Sequence, residues 1–208
     1  MRRIHISKLA LLAAALLVLF AGNAMAGVVF DLSPTNNVTF RSPGAGSGVG
    51  QGVLVGATGI TITDMAFYLN MPSGGDLKFM IWDSTDANLL FSSVLSGVGL
   101  SEIPSWVSSS PFSFTLQANT EYWFGIIADN NMDVGYISTP IGYSANGLTA
   151  DTGGNSNYST FANPTFYNKG GAEIGLQLSG GGVPEPGSIF LLGSGVLALA
   201  GILRRKMN

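Results

Sequence analysis

Cysteine is absent from this 208-residue chain, and histidine occurs once, at His5. Without cysteine no disulfide framework can staple the fold, so stability rests on burial and hydrogen bonding. The lone histidine falls in a segment read below as removed on export, which leaves a chain with neither imidazole nor thiol. A Ser-His-Asp triad, a Cys-His pair and a zinc site of imidazole and thiolate ligands are then excluded. Only carboxylate chemistry remains, as in a glycosidase pair. Charge is scarce as well, at 10% of residues. Between residues 27 and 182 only Arg41, Lys78 and Lys169 are basic, against eleven acidic side chains, a net charge of −8. Such a surface repels phosphate backbones and does not suit nucleic acid, whereas it attracts divalent cations.

What is present first is a hydrophobic segment at each end. Arg2, Arg3 and Lys8 precede an apolar stretch from Leu9 to Phe20, and Ala24, Met25 and Ala26 supply a small-x-small cleavage pattern. This predicts a secretory signal peptide over residues 1–26, cut between Ala26 and Gly27 by signal peptidase. The apolar run is too short for a spanning helix, which needs about 20 residues. At the other end Gly187 to Leu203 carries no charge, enough for roughly 25 Å of helix at about 1.5 Å per residue, marginal for a bilayer core. Arg204, Arg205 and Lys206 then hold that end in the cytoplasm. The reading is a transmembrane helix over 187–203 after a Gly-rich linker at 179–183, with Pro184-Glu185-Pro186 stiff and exposed just outside the membrane.

The tail "VPEPGSIFLLGSGVLALAGILRRKMN" resembles the PEP-CTERM sorting tails of exported bacterial proteins. Val183, Pro184, Glu185 and Pro186 match the motif, followed by the short Gly- and Leu-rich helix and the Arg-rich end. The resemblance implies a substrate of exosortase, a membrane enzyme thought to recognise the Pro-Glu-Pro region, with Arg204 and Arg205 retaining the tail during processing. It also implies a producer that makes exopolysaccharide or biofilm. The middle of the chain, in "ITDMAFYLN", "LKFMIWDS" and "SWVSSSPFSFTLQANTEYWFGIIAD", resembles more loosely the exported β-sandwich modules attached to such tails, including the choice-of-anchor families.

From Gly27 to Leu178 the apolar residues recur at period two in short runs bounded by Gly, Pro, Asn and Ser, the signal of strands. Leu77, Phe79 and Ile81 fall on one face of "DLKFMIWD", and Lys78, Met80 and Trp82 on the other. "EYWFGIIAD" is apolar on both faces and reads as a central strand covered on both sides. The phase change between Ile62 and Met65 predicts a β-bulge or the meeting of two strands. "SPGAGSGVGQG" at 42–52 reads as a flexible loop, and residues 139–165 as a long loop or poorly ordered hairpin. The expected architecture is all-β: an antiparallel, jelly-roll-like sandwich over 27–178, flanked by the signal peptide and by the sorting tail at 184–208.

Function within that domain is open to three readings. The first is a non-enzymatic structural or adhesive component of the cell envelope or extracellular matrix, near exopolysaccharide. The second is a carbohydrate-binding module or adhesin, calcium-dependent in one form. Oxygen ligands for Ca²⁺ gather in "DSTDAN" (Asp83, Asp86, Asn88) and "DNNMD" (Asp129, Asn130, Asn131, Asp133), although Asp and Asn are also turn formers. Sugar-stacking candidates are Trp82, Trp106, Tyr68, Tyr136 and Tyr143, with Trp82 foremost. The third is a carboxylate-based glycan hydrolase drawing on Glu102, Glu121, Asp129, Asp133 or Glu173, which needs two carboxylates facing across a cleft.

Overall fold

A computed structural model describes residues 26–33, 38–83, 88–137, 142–156, 160–165, 168–170 and 173–181. Residues 27–180 form one compact unit. The expected helix at 187–203, the Val183–Pro186 motif, the basic residues Arg204, Arg205 and Lys206, and Ala24 all lie outside the described residues. Among the described residues there is no helix.

Fifteen strands follow one another along the chain: β1 (Ala26–Leu32), β2 (Val38–Arg41), β3 (Gly48–Val55), β4 (Ile60–Met71), β5 (Gly75–Asp83), β6 (Leu89–Val98), β7 (Ser101–Ser108) and β8 (Phe114–Leu116). The second half adds β9 (Glu121–Ala128), β10 (Asp133–Ile137), β11 (Ser144–Ala145), β12 (Leu148–Ser156), β13 (Asn168–Lys169), β14 (Glu173–Ile174) and β15 (Leu176–Gly181). They form two sheets. Sheet I runs β1-β15-β4-β10-β14, with β2 on β10 and with β7 and β8 on β4; sheet II runs β11-β12-β3-β9-β5-β6, with β13 on β12. The chain crosses repeatedly from one sheet to the other, so both inner faces draw on distant parts of the sequence.

The core lies between the sheets, and the period-two pattern fills it. Ile62, Met65, Phe67 and Leu69 of β4 meet Leu77, Phe79 and Ile81 of β5 and Tyr122, Phe124 and Ile126 of β9 in one buried cluster. The Phe67 and Phe79 rings approach from opposite sheets at 6.2 Å between centroids. Each fully buried side chain of this size contributes about 1.5–3 kcal/mol through burial. The phase change in β4 is a bulge: Ser179 pairs with Asp64 while Gly180 pairs with Ile62, leaving Thr63 as the extra residue. That one residue moves the inward set from even to odd positions. The central position expected for "EYWFGIIAD" is found too, since β9 pairs with β3 on one side and β5 on the other.

Three segments differ from the reading of the sequence. The glycine-rich stretch continues into β3, where Gly48, Gly50 and Gly52 pair with Ile127, Gly125 and Trp123. An added Cβ at Gly50 would stand 3.2 Å from Trp123 Cε3 and 3.0 Å from the Phe124 carbonyl oxygen. Glycine here makes room for an indole in a strand interior, and it is not the mark of a loop. Residues 139–165 contain β11 and the nine-residue β12, joined through Asn146 and Gly147, whose φ values of 51° and 79° suit a tight hairpin turn. Finally, β15 runs through Ser179 to Gly181, residues that composition assigns to the linker.

Candidate functional site

The outer face of sheet I carries an aromatic row. Tyr68 of β4 pairs directly with Trp106 of β7, and Phe40 of β2 pairs with Gly135 of β10, whose neighbour Val134 pairs with Leu69 of β4. With only a glycine between them, Phe40 reaches Tyr68 at 6.1 Å between centroids, and Tyr68 reaches Trp106 at 5.4 Å. The rings are tilted by 43° and 59°, giving a stepped surface. Phe40 is 42% exposed, and Tyr68 and Trp106 are half-buried. Their bases are therefore fixed by packing while part of each ring remains accessible.

Beside the aromatics runs a shorter polar row. Asp133 pairs with Asn70 across β10 and β4. Asn70 is 7% exposed; its Nδ2 donates to the Glu102 carbonyl at 3.5 Å, and its Oδ1 has no partner. An unused buried acceptor costs about 1–3 kcal/mol. The accessible part of this face is therefore the rings, since the Asn70 amide is buried.

Sequence reasoning singled out Tyr68 and Trp106 but missed Phe40 and Asn70. Nothing local marks Phe40 as their neighbour, because the contact depends on β2 and β4 flanking β10. The foremost sequence candidate is corrected: Trp82 is 5% exposed and lies with Met80, Trp123 and Ile127 in a second core on the outer face of sheet II. Phe161 packs on that cluster, and Lys78 donates to the Phe161 carbonyl while its Nζ stands 4.7 Å from the ring centroid. A ring so covered offers no stacking face. Tyr136 is likewise 4% exposed in the main core, and Tyr143 packs edge-on against Phe30 at 5.3 Å.

The two calcium candidates are not brought together. Asp83 ends β5 opposite Tyr122, whereas Asp129 follows Ala128, which pairs with Leu77 at the far end of the same ladder. The Asp83 N–H donates to the Asn88 carbonyl at 2.9 Å, and Asp86 lies outside the described residues. Asp129 Oδ1 accepts from the Asp76 N–H at 2.8 Å, and Asp76 Oδ1 in turn accepts from the Gly97 N–H at 2.9 Å. These carboxylates tie β5, β6 and the turn after β9 to one another. Met132, next to Asp133, is fully buried and anchors that turn in the core. Among the described residues no three His, Cys, Asp or Glu side chains gather as a metal site.

Of the carboxylates considered for hydrolysis, Glu102 and Asp133 both adjoin Asn70, Glu102 through the hydrogen bond its carbonyl accepts from the Asn70 amide and Asp133 as its cross-strand partner. Glu121 opens β9 and Asp129 follows its end, roughly 26 Å apart at about 3.3 Å per residue. Glu102 is exposed on β7, and Glu173 is 1% exposed, accepting from the Gly142 N–H at 3.3 Å.

Residues 182–206 match the PEP-CTERM protein-sorting motif. The chain therefore carries the signal of exported proteins processed at the membrane by exosortase. Comparison with curated proteins gives no match.

Proposed function

We propose that this protein is a non-enzymatic adhesive component of the cell surface or extracellular matrix that binds exopolysaccharide through the Phe40–Tyr68–Trp106 row. In this reading the precursor loses residues 1–26 on export, stays tethered by the tail helix, and is released or transferred by exosortase. The sandwich, of the choice-of-anchor kind, is the part that remains. The observation carrying the proposal is the aromatic row itself, three partly accessible rings in sequence on one sheet face. The absence of histidine and cysteine from residues 27–208 supports a binding role over a hydrolytic one.

The test is retention of the protein in affinity electrophoresis through gels containing the producer's exopolysaccharide. Trp106→Ala and Tyr68→Ala are expected to abolish the retardation while the thermal transition persists. Trp82→Phe, which alters the covered cluster, leaves it intact. Stacking needs no cation, so EDTA has no effect; loss of retardation in EDTA would replace this reading with a calcium-dependent one centred on the Asp133 loop. Unchanged retardation in the Trp106 and Tyr68 variants would remove the row from the function.

A further inference from the structure

The two strands at one lateral edge of the sandwich are protected very differently. In sheet I, β7 pairs with β4 and reads "SEIPSWVS". Glu102 places a charge on it, and Pro104 removes an N–H, both devices that discourage a further strand from adding. In sheet II the terminal strand is β6, "LLFSSVLSGV", which pairs with β5 and, among the described residues, with no strand on its other side. It is ten residues long, without proline or charge. The uncharged stretch extends from Asn88 to Ser101 on a domain whose net charge is −8. Leu89, Leu90 and Val94 are 41%, 44% and 45% exposed.

A long, apolar, uncharged edge strand is a template for strand addition. Charge decides who adds. Two copies of an acidic domain repel wherever their acidic faces meet, but β6 brings no charge to its counterpart, so antiparallel pairing with itself sets no like charges opposite one another. A basic partner strand, by contrast, would find no carboxylate on β6 to meet. The opposite edge of sheet II is blunt, formed by the two-residue β11 and β13 against β12. Within sheet II a head-to-tail filament needs two long open edges, and among the described residues β6 is the one this sheet offers; a two-fold pairing needs one.

We infer that β6 pairs with β6 of a second copy about a two-fold axis, joining the two copies of sheet II into one continuous sheet. β6 runs in unbroken register with β5 from Phe91 to Leu95, with an irregularity on either side, so the ladder between copies is centred on these five residues, with about five backbone hydrogen bonds. A contact made by one strand from each copy is small beside the ~1,600 Å² of a standard interface, and a weak, concentration-dependent association in about the micromolar range is expected. Dimerisation places two aromatic rows on one particle, and binding to a repetitive polymer then gains from multivalency.

Sedimentation velocity of the full chain in mild detergent, over a dilution series through the micromolar range, tests this. The wild type is expected to sediment as a dimer at the upper end. Val94→Lys, on an exposed position of β6, should shift the midpoint at least tenfold toward monomer, while Ser105→Lys on β7 should not. Because the chain has no cysteine, Ser92→Cys gives a single thiol, expected to crosslink to its own copy through a short bismaleimide. A wild type that stays monomeric overturns the inference. So does a dimer that Val94→Lys leaves intact, a dimer that Ser105→Lys dissociates equally, or a dimeric Ser92→Cys that fails to crosslink.

Discussion

Gln51 stands between Val49 and Val53 on the inner side of β3, a place where the alternation expects an apolar side chain. It is fully buried, and it spans the sheets: Oε1 accepts from the Ile174 N–H of β14 at 2.8 Å, and Nε2 donates to the carbonyls of Gly52 at 3.0 Å and Asp151. A single amide thus ties β3 to β14 and to the bulge in β12 between Ala150 and Gly153, pairing polar backbone groups inside the core. Gln51→Leu keeps the volume but removes the acceptor of the Ile174 N–H. It is expected to lower stability by about 1–3 kcal/mol, the cost of one buried unsatisfied group, read as a lower urea midpoint at unchanged m-value. At this scale the sequence hides both the residue, which falls in a glycine-rich stretch read as a loop, and its distant partners Asp151 and Ile174, 100 and 123 positions away. Trp82 illustrates the converse. Its face was legible from alternation with Lys78 and Met80, but its cover was not, since Phe161 comes from a segment that carries no periodicity.

Elements built from strong alternation were legible: β5, β8, β9 and the two phases of β4 follow from where Leu, Phe and Ile recur. Elements whose composition argues against a strand were not. Gly48, Gly50 and Gly52 weaken β3 by propensity, and at Gly50 the reason is Trp123, whose Cε3 would stand 3.2 Å from an added Cβ. β7 was obscured by Pro104, which an edge strand tolerates. The segment at 160–165 is held by local bonds, the Asn163 N–H donating to Thr160 Oγ1 at 3.0 Å and the Thr160 N–H to the Asn163 carbonyl at 3.3 Å, and it sets Phe161 on the second core. Phe161→Ala should uncover that core while leaving the main one intact. The expected signature is a red-shifted tryptophan emission with stronger acrylamide quenching, at a cost of about 1–2 kcal/mol for a partly buried aromatic. An unchanged emission spectrum would mean that Trp82 and Trp123 owe their burial to something other than Phe161.

For the whole molecule, the sorting signal was the most legible feature and the aromatic row the least, for a physical reason. A processing enzyme at the membrane reads contiguous residues, so Val183 to Pro186, the apolar run and the basic end appear in the order in which they act. The aromatic row and the open edge exist only once β2, β4, β7 and β10 are side by side and β6 has taken the end of sheet II. The acidic charge of the domain keeps exported copies apart and soluble, which leaves the uncharged β6 edge as the place where two copies meet. All of this presupposes that the domain leaves the cell and is processed. The most direct measurement is the intact mass of the protein recovered from membrane, envelope and culture-supernatant fractions of the native producer, with and without exosortase. The account predicts a mature chain beginning at Gly27 and lacking the segment beyond the Pro-Glu-Pro region, found only when exosortase is present. A mass running through Asn208 in both strains would contradict it, and the tail would then be a plain anchor.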